Sequence, residues 1–321
     1  TRRSNKEAQK SMKFSRKLTL IGSTAAIAAL LLSGCSSGSS DSGETSGPNL
    51  PVGDEISTTA DAALHDLLPE DIQKKGKIDV AVDIPFPPMA MYDDNNREIG
   101  FDPELARLLG QKLDIDVSLN KQAFDSVIPS LQAKKNDVIM SGMNDTPERQ
   151  ETLSFVNYTH GGFAILVPEG NPKSVGTQLD LCGKTVAVQK ATVQGDLLRA
   201  MDCGSDPVTV MELPLDTDAQ TALRAGKSDA YVADAVVAEY VAATVEDGGA
   251  FDVVRDPKNP AGFNPVYSGI GILKDRTELI DAIQQGLQAL IDDGSYAKVL
   301  ERNNIQAYAI DSAEVNQGAG E

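Results

Sequence analysis

Histidine is nearly missing from this chain: His65 and His160 are the only two in 321 residues. Neither neighbours a cysteine in a ligand-like spacing, so a metal centre of the usual Cys/His kind has no material here. Cysteine is scarce as well, with three. Positive charge is short, since 29 Lys and Arg stand against 47 Asp and Glu for a formal net charge of −18. That balance argues against nucleic acid or an anionic lipid surface as partner, and otherwise simply keeps the protein soluble. A spanning helix needs ~20 consecutive apolar residues. The amino-terminal run from Leu18 to Leu32 has 15, too few for a permanent transmembrane anchor.

What surrounds that run explains it. Lys13, Arg16 and Lys17 precede it and Leu32-Ser33-Gly34-Cys35 follows, an order that resembles the lipobox of a bacterial lipoprotein signal peptide. The resemblance implies cleavage before Cys35, lipidation of its sulfur and a mature protein held on the outer face of the cell membrane, with Met12 as the natural start. Residues 1–34 are then a leader, and 35–60 the lipidated Cys and a Ser-, Gly- and Pro-rich flexible tether. The leader holds seven Lys or Arg and a single acid, Glu7, so its loss takes the net charge from −18 to −24. Lipidation of Cys35 leaves Cys182 and Cys203 as a lone pair in an exported domain, where disulfides persist, and they are predicted to be bonded.

From Lys77 onward, strand-like and helix-like segments alternate, the pattern of parallel sheets with crossover helices. Strands are predicted at 78–82, 137–140, 163–167, 185–189, 208–211, 230–232 and 269–273. Helices are predicted at 103–113, 124–133, 194–201, 218–224 and 235–243. A last long helix follows, with Leu279, Ile283, Leu287 and Leu290 on one stripe. The break Pro168-Glu169-Gly170-Asn171-Pro172 reads as a domain crossing.

The most telling segment is Asn136 to Arg149, N-D-V-I-M-S-G-M-N-D-T-P-E-R. An apolar strand here ends in Ser141, Gly142 and Asn144, at the carboxyl edge where open α/β sheets place ligands. Arg149 then adds a planar fork of donors that matches a carboxylate.

Motifs in sequence widen the comparison: D-I-P-F-P-P-M at 83–89, G-F-D at 100–102, F-D-S-V-I-P-S-L-Q-A-K-K at 124–135, and the segments 141–149, 186–192, 223–234 and 267–274. In these the chain resembles the amino-acid-type (family 3) extracellular solute-binding proteins of ABC importers, from about Lys77 to Gln306. The resemblance implies a two-lobed fold of the periplasmic-binding-protein type II kind, each lobe a mainly parallel sheet flanked by helices, joined by two hinge strands. Lobe one is expected at 61–166 plus 269–310, lobe two at 167–268, and a carboxyl-terminal tail at 311–321. A monomer that delivers an amino acid, polar or cationic, to ABC transporter permease subunits is the implied function. No cofactor or metal is implied.

Carried over residue by residue, Arg149 holds the ligand α-carboxylate with the Gly142 and Asn144 amides, and Asp234 binds the α-ammonium. Thr192-Val193 stands where the family has a Thr-Thr pair at a helix start, so the second hydroxyl is lost while the N–H remains. Lys190-Ala191 replaces the Ala-Gly of many relatives. Phe86 and Phe124 wall the ligand's aliphatic part. Asp83 and Asp145 are the candidates for reading the ligand side chain, or else braces for the local backbone. The rival is an enzyme such as a dehydratase, because the same fold hosts some, with a cleft carboxylate as its acid. A ligand-presenting sensor component would share the same site.

Overall fold

The computed structural model describes residues 56–320. The leader and the lipidation expected at Cys35 lie outside the described residues. Two short helices, α1 (Ala62–His65) and α2 (Glu70–Lys75), lead into β1 (Lys77–Val82), five of whose six residues are buried. A strand buried on both faces has neighbours on both edges, and β1 pairs in parallel with β4 (Asp116–Lys121) and β5 (Val138–Ile139). Between β1 and β4 lie a small hairpin, β2 (Met91–Tyr92) and β3 (Glu98–Ile99), and helix α3 (Phe101–Lys112). The helix predicted at 124–133 is a 3₁₀ turn, Phe124–Ser126, running into α4 (Val127–Gln132).

The largest departure from expectation is β6 (Leu153–Pro168), 16 residues where five were predicted. His160-Gly161-Gly162 looks like a break in sequence, yet the strand runs through it. Glycine is needed because the neighbouring strand comes close: a Cβ on Gly162 would stand 2.5 Å from the Phe263 carbonyl oxygen.

Lobe two continues with β7 (Thr185–Gln189), α5 (Val193–Ala200), β8 (Thr209–Leu213), α6 (Asp216–Arg224), β9 (Ala230–Asp234), α7 (Ala235–Thr244) and β10 (Phe251–Val254). The return strand β11 (Phe263–Leu273) starts six residues before the prediction. Its Pro265 falls where the register with β6 shifts, between Phe263 and Val266, so the missing N–H breaks no ladder bond.

The sheet path is β4-β1-β5-β11-β6-β9-β7-β8, with β10 on β6. Three parallel strands form each end, and the antiparallel pair β6 and β11 joins the two lobes. Both hinge strands carry their irregularity, Gly161-Gly162 and Pro265, at the same level. Helix α8 (Thr277–Asp292) then buries its predicted stripe against α3, and α9 (Ser295–Arg302) completes lobe one.

The last described segment is not loose. The Asn157 N–H donates to Glu314 O at 2.9 Å and the Asn316 N–H to Phe155 O at 2.9 Å, so residues 314–316 run along β6. Cys182 and Cys203 are bonded as predicted, with Cα atoms 5.4 Å apart.

Candidate functional site

Parallel strands leave unpaired groups at their carboxyl ends, and the ends of β1, β5, β7 and β9 meet between the lobes. Asp83 follows β1. Its N–H donates to Ser141 Oγ at 3.0 Å, and its Oδ2 accepts from Gln189 Nε2, at the end of β7 in the other lobe, at 2.6 Å. Asn144 Nδ2 likewise donates across the cleft to Asp234 Oδ1 at 3.0 Å. Lys190 Nζ lies 2.8 Å from Asp125 Oδ2. These bonds describe lobes drawn together.

Within that closed cleft is a narrow cavity of ≈20 Å³, lined on one side by Phe86, Phe124, Gly142 and Asn144 and on the other by Gln189, Thr192, Gln194, Asp216 and Asp234. Phe86 and Phe124 are both nearly buried, as walls must be. Arg149 projects beside it, its guanidinium carbon 5.6 Å from the Phe124 ring centre. Its two hydrogen bonds go to neutral carbonyls, Asn144 O at 2.9 Å and, across the cleft, Ala191 O at 3.0 Å. A charged fork held by carbonyls alone has room to gain from a carboxylate.

One expectation comes out differently in geometry, and two open points are decided by it. The Gly142 N–H, expected to point at the ligand, donates to Asp102 Oδ2 and Tyr158 Oη, both at 3.0 Å. Gly142 contributes instead by closeness: its φ is +56° and a Cβ would stand 2.8 Å from the Phe86 ring. Asp145 is saturated as a brace, accepting from Gln150 Nε2 at 2.6 Å, Asn157 Nδ2 at 3.0 Å and the Gly318 N–H at 3.0 Å. Thr192 Oγ1 donates back to Gln189 O at 2.7 Å, so the hydroxyl shapes the turn and leaves the first-turn amides of α5 uncapped by any side chain. In that turn Ala191 takes φ +64°, the left-handed conformation that glycine would adopt without strain.

Sequence reasoning missed Gln189, Gln194 and Asp216. All three stand at or just after the carboxyl end of a lobe-two strand, and applying the strand-end rule there as in lobe one would have found them. Gln194 is 2% exposed; its Nε2 reaches Asp234 Oδ1 at 3.3 Å and its Oε1 has no partner. Asp216 accepts from Tyr231 Oη and from Gln220 Nε2 at 2.7 Å.

Burial dominates the electrostatics. It pushes the Asp83 carboxyl up to about 6, with the Gln189 bond opposing and the Asp216 charge adding. It pushes Asp234 up to about 6 against the Asn144 bond and the Arg149 charge, and Asp216 to about 6 despite its two donors. Arg149 is pulled below its ordinary value by burial, with Asp234 opposing.

Two lobes on paired hinge strands, closing strand-end polar groups around a small cavity, define a solute-binding protein of the clamshell kind. The chain belongs to the bacterial extracellular solute-binding proteins, family 3, whose model matches residues 78–304. It is 28% identical over 257 residues to the arginine-binding protein ArgT of Corynebacterium glutamicum, covering 78% of this chain and 82% of that one. The fold is similar to that of holo ArgBP from T. maritima, with a TM-score of 0.63, 31% identity, and 73% and 98% of the two chains covered. It is also similar to the ancestral amino acid-binding protein AncCDT-1, a precursor of cyclohexadienyl dehydratase, with a TM-score of 0.65, 29% identity, and 73% and 97% covered. The chain is thus an extracytoplasmic amino-acid-binding component of an ABC transporter, and not an enzyme.

Proposed function

We propose that the bound solute is an amino acid with a cationic side chain, arginine or lysine in type. The charge count of the cleft carries this reading. The ligand's α-carboxylate takes Arg149 and its α-ammonium takes Asp234, which leaves Asp83 and Asp216, both buried, without an ion-pair partner, the Lys121 charge acting on Asp83 only from a distance. Ionising two buried carboxylates beside one another is unfavourable unless a positive group arrives with them.

The remaining roles follow the same reading. Phe86 and Phe124 sandwich the aliphatic stem, Ser141 holds the Asp83 backbone, and the backbone amides of Asn144 in lobe one and of Thr192 and Val193 in lobe two supply neutral donors to the carboxylate. Lobe one comprises 61–166 and 269–310 and lobe two 167–268. The mature protein is a monomer tethered through a lipid on Cys35 to the outer face of the membrane, where the permease receives the ligand. Mass spectrometry of the mature amino terminus tests the anchor.

The test of specificity is calorimetry and thermal shift on ligand-stripped protein with arginine, lysine, ornithine, glutamine, cystine and glutamate. Ligand at 100 times its Kd stabilises by ~2.7 kcal/mol. The expected order places a cationic amino acid at least about tenfold tighter than glutamine, a gap of ~1.4 kcal/mol. Tightest binding of a neutral or acidic amino acid overturns the proposal.

A further inference from the structure

Lobe two holds a second cavity, of ≈220 Å³, between helix α5 and the sheet. Phe163, Leu198, Met201, Val232 and Phe263 make its apolar walls. Gln178 and Asn264 stand at its rim, Gln178 Nε2 donating to Asn264 Oδ1 at 3.0 Å. An apolar cavity with a polar rim is the form that small-molecule sites take. A space of about 150 Å³ already accepts benzene, so this one suits a one- or two-ring molecule.

Two further features separate it from a packing fault. The Cys182–Cys203 bond ties the segment after wall residue Leu181 to the segment after Met201, so the disulfide limits how far the flanks can collapse inward. Gln194 lines both this cavity and the ligand cleft. Its side chain is 2% exposed, its Nε2 is engaged by Asp234, and its Oε1 lacks a donor. A molecule bringing one N–H or O–H to that oxygen would satisfy it.

We propose that lobe two carries a second binding site, for a small aromatic molecule with a single hydrogen-bond donor, of the indole or phenol class. Occupation of that site is sensed in the cleft, because Gln194 and the first turn of α5 belong to both. The site goes beyond the amino-acid reading and does not depend on which amino acid the cleft takes.

The experiment is titration of the full-length folded protein with indole, phenol and benzene, followed by calorimetry and ligand-observed NMR. Saturable binding at one site is expected, with indole and phenol about fivefold tighter than benzene, as one neutral hydrogen bond allows. Leu198→Trp fills the cavity and is expected to abolish indole binding and, with it, any effect of added indole on amino-acid affinity; Met201→Phe narrows it from the other end and serves if the first variant fails to fold. Saturation with indole is also expected to change amino-acid affinity, and by linkage the amino acid must change indole affinity by the same factor. No saturable binding of any probe, or undiminished indole binding in the folded variants, overturns the site. Benzene binding as tightly as indole overturns the role of Gln194 in it.

Discussion

Single side chains decide whether this cleft holds a zwitterion. Arg149 rests on two carbonyls and Asp234 on two amides, so each is prepared for a ligand charge and neither is spent on an ion pair with the other. Arg149→Ala and Asp234→Ala are each expected to weaken amino-acid binding by at least about tenfold, measured by calorimetry, with the thermal midpoint of the unliganded protein nearly kept. Unchanged affinity in either variant removes that residue from the site. The raised carboxyls add a pH dependence whose sign can be worked out. Asp83 titrates at about 6 in the folded chain and at ~3.9 when unfolded. The folded form therefore binds the extra proton, and the stabilisation is full below pH ~4 and lost as pH rises through about 6. Between pH ~4 and ~6.5 the unliganded protein is expected to lose more stability than its Asp83→Asn variant does; parallel denaturation profiles would refute this. Asp234, also near 6, must ionise to hold an ammonium, so affinity is expected to weaken as pH falls through about 6.

Elements place those side chains, and the placement leans on partners distant in sequence. The turn that carries Asn144 and Arg149 is held from behind by Asp145, whose carboxylate gathers Gln150, the hinge residue Asn157 and Gly318. Asp145→Ala leaves two buried donors and one half-buried donor without an acceptor and is expected to cost about 3 kcal/mol in chemical denaturation, releasing residues 314–318 from β6. A loss under about 1 kcal/mol would show the brace to be unimportant. The strand-end turns were legible because their residues are local: a short apolar strand, then small polar residues, then an arginine. The length of β6 was not legible, because Gly161-Gly162 signals a break when read alone and only the close carbonyl of Phe263 shows why glycine stands there. Pro265 is tolerated in β11 because the register shifts there.

At the scale of the whole molecule, function is the approach of two lobes on two strands. Four contacts already bridge the cleft, Asp83 with Gln189, Asn144 with Asp234, Arg149 with Ala191 and Asp125 with Lys190. A ligand must replace some of these with better ones, and differential affinity for the closed form is what closure can draw on. The disulfide acts within lobe two alone, joining cysteines at a sequence separation of 21. Replacing both cysteines by serine is expected to lower stability by roughly 3 kcal/mol in the chain-entropy picture, measured by urea unfolding, and a loss near zero would count against it.

Sequence by itself determined the class of fold, the pairing of Cys182 with Cys203 and the candidate charges at 149 and 234, because each is written in local pattern or in simple counting. Only the tertiary structure decided what those charges rest on. It turned the Gly142 amide inward to Asp102, committed Asp145 to the chain's last residues, and brought Gln189, Gln194 and Asp216 to the same cavity as Phe86. Such outcomes depend on which groups meet across more than 100 residues of chain, as Asp83 and Gln189 do at a separation of 106. A hydrogen bond has a reach of about 3 Å, and no periodicity in the sequence records which partner will arrive within it.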